Sequence, residues 1–395
     1  MGHGQRAVGT GGVGIGHAAA TLSMGPVAAA TTFGGAYRGQ TVLITGHTGF
    51  KGSWLATWLL ELGARVVGYS AYQPSVPSHF DACGLASRVV DVTGDIRDLK
   101  HLRAVFAEHR PEVVFHLAAQ PLVRRSLEDP ITTFETNVGG TVNMLECLRE
   151  SDAVAAAVIV TSDKCYENMG WPWGYRETDR LGGQSPYSAS KACAELACHA
   201  YARSLLAGRR VRLATARAGN VLGGGDWAQD RIVPDCVRAW SGGRVARIRS
   251  PRATRPWQHV LEPLSGYLWL GATLLASPSF HGEAFNFGPP ASASVSELID
   301  TISRQWEGAA WEIDSAAVNV GEDVLLQLAC DKALHMLGWR TVLTLEEIAR
   351  FTVEWYRTYY ARPHEVFEVS RAQIARYTAD CAARRLPWAG AGDAA

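Results

Sequence analysis

From Gln40 onward the chain alternates between two rhythms of apolar and polar positions. Short apolar runs of the kind buried in a parallel sheet are separated by longer stretches with apolar residues three and four apart. Thr41-Val42-Leu43-Ile44-Thr45 reads as a strand, and Ser53 to Leu62 as a helix with Trp54, Leu55, Trp58, Leu59 and Leu62 on its apolar face. Further strands are expected over Arg65 to Tyr69, Val89 to Val92, Val113 to Leu117, Ala156 to Thr161 and Val211 to Ala216. Helices are expected over Leu99 to Glu108, about Ile131 to Arg149, and Tyr187 to Leu206. Strand and helix alternating through short links predict a doubly wound parallel sheet of Rossmann type, an α/β fold whose ligands bind beyond the carboxyl ends of the strands.

After Gly219 the rhythm breaks into loops rich in Gly, Pro and Trp, with helices expected over about 232–240, 263–275, 295–305 and 345–360. This predicts a smaller, mostly C-terminal α/β substrate lobe. The expected division is a Rossmann domain over 39–219, the lobe over 220–365 with some return to the sheet, and a C-terminal extension over 366–395. The first 38 residues, rich in Gly, Ala and Thr, have no such rhythm. They are expected to form a disordered tail, or to reflect an over-extended translation start with Met24 as one alternative. Gly9-Thr10-Gly11-Gly12-Val13-Gly14 there matches GxGxxG, but without a preceding strand or a following helix it is a decoy.

Composition narrows the function class. A formal net charge of zero favours neither nucleic acid nor an anionic membrane, and no apolar run is long enough for a signal sequence or a membrane span. The eight cysteines form no CxxC pair, so a reducing, cytoplasmic setting is expected, with no metal site. Lysine is scarce. Of 38 basic residues only Lys51, Lys100, Lys164, Lys191 and Lys332 are lysines, and a buried lysine can lose its proton where arginine cannot.

Gly46, Gly49 and Gly52 follow a strand and open a helix, the context in which glycines make a dinucleotide loop. No Asp or Glu ends the next strand, where Ser70 stands, and no arginine adjoins it, which favours NAD over NADP; Asp95 and Ile96 are candidates for the adenine side. Tyr187 and Lys191 stand one helical turn apart, so an ammonium can favour the phenolate of a proton-transfer tyrosine. Ser162, just past a strand, is a candidate partner for the same substrate oxygen. Asn220, Arg231 and Arg255 are candidates for a diphosphate, which guanidinium binds in a bidentate fork. Trp171, Trp173 and Trp227 read as lobe packing.

The glycine loop, His116-Leu117-Ala118-Ala119, Thr136-Asn137-Val138-Gly139-Gly140-Thr141 and YxxxK together resemble the extended short-chain dehydrogenase/reductases acting on nucleotide sugars. Longer strings narrow this: Thr45 to Trp54, Ser162-Asp163-Lys164-Cys165-Tyr166-Glu167-Asn168, Trp173 to Glu177, Gly224-Gly225-Asp226-Trp227, and Arg255-Pro256-Trp257-Gln258-His259-Val260 are similar to CDP-glucose 4,6-dehydratases. The resemblance spans roughly residues 38 to 360. It implies NAD bound by Gly46, Gly49, Phe50, Gly52, Asp95, Ile96, Leu117, Ala118, Ala119, Asn137, Tyr187 and Lys191. It implies a CDP-sugar substrate oxidised at C4 with Tyr187, Lys191 and Ser162, dehydrated across C5 and C6, and reduced again at C6. Related dTDP-glucose dehydratases carry Asp-Glu where this chain has Asp163-Lys164, and the resemblance leaves open which of the two is acid and which base. It also implies a homodimer or homotetramer. The rival readings are a nucleotide-sugar 4-epimerase of the same fold, which would need YxxxK but not the second pair, and a dehydratase acting on another NDP-hexose.

Overall fold

The computed structural model describes residue 1, residues 31–228, 231–314 and 326–390. Seven parallel strands form one sheet: β1 (Thr41–Thr45), β2 (Arg65–Ser70), β3 (Val90–Thr93), β4 (Val113–His116), β5 (Ala156–Val160), β6 (Arg212–Ala218) and β7 (Ala284–Phe287). Their order across the sheet is 3-2-1-4-5-6-7 in this numbering. The chain therefore winds outward from β1 in both directions, and the crevice beside β1 and β4 is the switch point where ligands of such sheets bind. β7 comes from a later part of the chain than the other six strands and pairs with β6 at the sheet's edge.

Strand alternation divides the interior into two layers. Val42 and Ile44 point into a core with Trp54, Trp58 and the later helices, while Leu43 points into a second core with Val67, Met144, Leu145 and Leu213. Helix α1 (Phe50–Glu61) begins three residues before the expected start, because Gly49 is its N-cap and the glycine turn curls directly into it. The expected helix over about 131–149 is present and runs without a gap through Pro130–Phe134, a π turn over Glu135–Gly139, and Gly140–Glu150. Helix α2 (Pro186–Ala200), which carries Tyr187 and Lys191, is started by Ser185, whose side chain accepts from Ser188 N, and by Pro186 in its first turn. It runs on as a π turn over Tyr201–Leu205.

Both ends of the fold carry packing to which the sequence reading gave no role. Residues 2–30, including the GxGxxG decoy and Met24, lie outside the described residues. Residues 31–38, the last of the expected tail, are described and packed: Phe33 and Tyr37 are buried, and Phe33 stacks on Trp388 with ring centroids 4.9 Å apart. The C-terminal extension forms helix α3 (Val366–Ala383), which packs on α1 and buries Ile374 and Tyr377. The two ends of the fold hold each other.

Candidate active site

A cavity of about 990 Å³ opens beyond the carboxyl ends of the strands, between the sheet and the later lobe. One wall is the β1–α1 turn with the ends of β3 and β4. Gly46 has φ +76°, and a Cβ there would lie 2.9 Å from Ala118 N; a Cβ on Gly52 would lie 2.2 Å from the Gly46 carbonyl oxygen. Only glycine lets this turn close, and it leaves bare backbone facing the cavity. Gly46, Gly49, Phe50 and Gly52 line this wall with Leu117, Ala118 and Ala119, and Asp95 and Ile96 line it after β3.

Three features here add to the sequence reading or depart from it. Ser70 Oγ bonds His47 Nδ1 at 2.9 Å, and His47 Nε2 bonds Asp91 at 2.9 Å, so Ser70 braces the glycine turn rather than standing alone at the strand end. Arg97, which follows β3 rather than ending β2, lines this wall, gripping Asp95 with Nη2 at 2.6 Å and meeting Glu135 at 3.4 Å. Asn137 does not line the cavity. Its amide accepts from Gln120 N at 2.8 Å and donates to Ser190 Oγ at 2.9 Å, because the π turn tucks it between the β4 loop and α2.

The opposite wall brings Ser162, Asp163, Lys164, Tyr187 and Lys191 together. Ser162 caps a short 3-10 turn over Asp163–Cys165; its hydroxyl accepts from Lys164 N at 3.2 Å and donates to Asp163 Oδ1 at 2.9 Å. Asp163 is buried, which raises its pKa, while the neighbouring Lys164 charge opposes that rise. Lys164 is half-buried on the cavity wall.

The expected lowering of the Tyr187 pKa is absent. Burial pushes the phenol up to about 12, and its hydrogen bond with Ser162 only partly offsets this. Lys191 donates to the Val160 carbonyl at 3.3 Å, and burial brings it down to about 8. Both groups are thus nearer neutrality than their ordinary values allow, for the same physical reason: charge is costly in a dry site.

The lobe supplies the third wall, with Asn220, Arg231 and Arg255. Arg231 is already paired with Asp226 at 2.6 Å, so any anion it binds must share it with that carboxylate. Arg255 donates to Thr254 O at 2.8 Å, in a strand pair with Ala293. Trp227 and Trp257 also line this wall, although Trp227 packs on Trp355 and Tyr356 as expected of lobe packing. Trp171 and Trp173 lie away from it, in a stack with Tyr175.

Sequence reasoning did not assign a role to Lys51 or Asp226. Lys51 lines the cavity, held down to about 8 by burial, with Arg231 and Lys191 adding repulsion. Three of the five lysines therefore meet in one cavity, and their scarcity elsewhere was the signal. Asp226 stood within the quoted Gly224–Trp227 string, but only the fold shows that it holds Arg231.

The family model of GDP-mannose 4,6 dehydratase matches residues 43–352. A CDP-glucose 4,6-dehydratase of Salmonella typhimurium is 44% identical over 86% of this chain and 97% of its own length. Among solved structures, a dTDP-glucose 4,6-dehydratase from Streptomyces venezuelae with NAD bound aligns with a TM-score of 0.66 and 26% identity, over 80% of this chain and 97% of that one. An epimerase from Methanothermobacter thermautotrophicus aligns with a TM-score of 0.71 at 23% identity, over 84% of this chain and 96% of that one, and so shares the fold. With a family model spanning both the sheet and the lobe, and a relative this similar over nearly its whole length, the chain belongs to the GDP-mannose 4,6 dehydratase family.

Proposed function

We propose that this protein is an NAD-dependent lyase that converts CDP-D-glucose to CDP-4-keto-6-deoxy-D-glucose, with no net oxidation or reduction. The observation that carries this reading is the meeting of two proton-handling sets in one cavity: Tyr187, Lys191 and Ser162 beside Asp163 and Lys164. An epimerase would need only the first. The choice of cytidine is supported by the 44% identity to the Salmonella enzyme.

The residues fit NAD. The bare backbone of Gly46, Gly49 and Gly52, the small Ala118 and Ala119, and Asp95 with Ile96 form a groove in which any added Cβ at Gly46 or Gly52 would clash with backbone. NAD would supply the hydride acceptor for C4 and the donor for C6. Tyr187 takes the proton of the sugar 4-hydroxyl, with Ser162 bonding the same oxygen as the ketone forms. Lys191 adds positive charge under the phenol, which favours the phenolate. Once C4 is a ketone, the C5 proton is acidic, and Asp163 and Lys164 share its removal with protonation of the leaving C6 hydroxyl. The raised pKa of Asp163 suits the acid half of that pair. Arg255, Asn220 and Arg231 hold the diphosphate.

Exposed Leu127, Ile131 and Leu196 sit on neighbouring helices of the sheet's outer face, and our reading is that they are covered in a homodimer or homotetramer. Leu196→Glu should lower the mass seen by light scattering; a monomeric wild type would contradict it. Among the described residues no helix is long and apolar enough to cross a membrane. All eight thiols are free, and our reading is a reducing, cytoplasmic setting. The functional reading is tested by offering CDP-, dTDP-, UDP- and GDP-glucose and detecting the 4-keto product. CDP-glucose should be turned over fastest; epimerised sugar as the sole product would contradict the proposal.

A further inference from the structure

Helix α2 carries a third polar group on the face that presents Tyr187 and Lys191. Glu195 stands one turn beyond Lys191 and two beyond Tyr187, and it is buried. Its carboxylate accepts from Thr161 Oγ1, from Thr215 Oγ1 at 2.8 Å and from Arg217 Nη2 at 2.8 Å. Arg217, on β6, is equally buried. Its other terminal nitrogen donates to Tyr166 OH at 2.7 Å and to the Glu177 carbonyl at 3.1 Å. Tyr166 OH in turn donates to Asn286 Oδ1 on β7 at 2.8 Å.

A buried ion pair is not in itself a stabilising device, since well-packed apolar side chains often do as well. What this one does is join parts. Glu195 belongs to the helix of Tyr187 and Lys191. Thr161 immediately precedes Ser162, and Tyr166 immediately follows the turn bearing Asp163 and Lys164. The pair therefore fixes the oxidation set against the elimination set.

It also carries charge. Lys191 is faced by Glu195 and the Cys198 thiol on its own helix, by the Cys165 thiol on the 3-10 turn, and by the Val160 carbonyl on β5. Lys51 of α1 and His116 of β4 also face it, the histidine held neutral by burial, with its pKa at about 3. Glu195 is thus the main anionic counterweight to the Lys191 ammonium, and Arg217 with two threonines keeps that carboxylate ionised against the cost of burial.

We propose that Glu195, held by Arg217, is a positioning residue for this reaction: it keeps Lys191 charged and sets the Ser162–Lys164 turn in register with Tyr187. The inference rests on the dehydratase reading of the site. Wild-type product formation tests that reading, and the variants below test only the inference.

The experiment compares Glu195→Gln, Glu195→Asp and the neutral pair Glu195→Leu/Arg217→Met. It measures kcat and KM for CDP-glucose against pH, alongside Tm. In Glu195→Gln and in the pair, kcat should fall by roughly tenfold to a hundredfold from misplacement, with KM within about threefold. The alkaline limb of kcat should move to lower pH by about half a unit to one unit, because Lys191 loses its counterweight. Glu195→Asp keeps the charge, so its alkaline limb should stay at the wild-type pH even where kcat drops. A folded pair with wild-type kcat and an unmoved limb would overturn the proposal. So would Glu195→Asp shifting the limb as far as Glu195→Gln does, and this arm decides the matter even if the pair fails to fold.

Discussion

Tyr187 is held near 12 in the folded protein, so as it stands it is a poor proton acceptor at neutral pH. Neighbouring positive charge must do the rest: Arg231 already acts to lower that pKa, and Lys191 stands one turn along the same helix. The glycine turn and the Tyr187–Lys191 spacing were legible because each is set within a few residues of chain. The pKa values were not, because burial comes from elements distant in sequence. The same division explains Ser70 and Asn137: their identities were visible, but their engagement with His47, Gln120 and Ser190 depends on tertiary placement. Two predictions belong to single residues. Arg255→Ala should raise KM for CDP-glucose by about 2 kcal/mol, or roughly thirtyfold, for one lost charge-assisted contact, with NAD affinity unchanged by titration. NAD should activate better than NADP, since Arg97, the arginine on the dinucleotide wall, is already bound by Asp95 and Glu135. NADP proving the better activator would contradict this.

At the scale of elements, the strands and long helices were readable from periodicity, and the departures are at caps and π turns. Gly49 starts α1 early, and a π turn at Glu135–Gly139 sits inside the expected helix, which continues on both sides of it. The docked ends were not readable. Phe33 lies in a Gly- and Ala-rich segment, and its partner Trp388 is at the other end of the chain, so no local pattern links them. Trp388 also stacks on Tyr377 and meets Trp58 edge-on, 6.0 Å away, joining α3 to α1 and through it to the glycine turn. Trp388→Ala should therefore cost about 3–5 kcal/mol of stability in a denaturant titration, as for other buried large aromatics. A change below about 1 kcal/mol would show that the C-terminal helix is not part of the cooperative fold.

Across the whole molecule, a buried acid outside the active site should leave a mark on stability. Glu262 is fully buried; it accepts from Val342 N, Leu343 N and Tyr377 OH, and burial raises its pKa from 4.5 to about 7. The folded state holds this proton more tightly than the unfolded chain does. Its contribution to stability is thus full below pH 4.5 and is lost as pH rises through about 7. Glu262→Gln should flatten that decline, so the variant gains on the wild type between pH 4.5 and 7 when Tm is followed. An unchanged slope would place the titration elsewhere.

The central claim is that one cavity houses two separable proton-handling sets, and single-turnover kinetics test it directly. Enzyme loaded with NAD is mixed with CDP-glucose in deuterated water, and bound NADH absorbance is followed beside deuterium incorporation at C5. Wild type should show only transient NADH and end with 4-keto-6-deoxy product, without net reduction of the cofactor. Tyr187→Phe should show no NADH at all. Lys164→Met and Asp163→Asn should form NADH and then stall, losing most of the deoxysugar. Normal C5 exchange and normal product in both Lys164→Met and Asp163→Asn would contradict the account, leaving Asp163 and Lys164 as structural neighbours of an elimination carried by other groups.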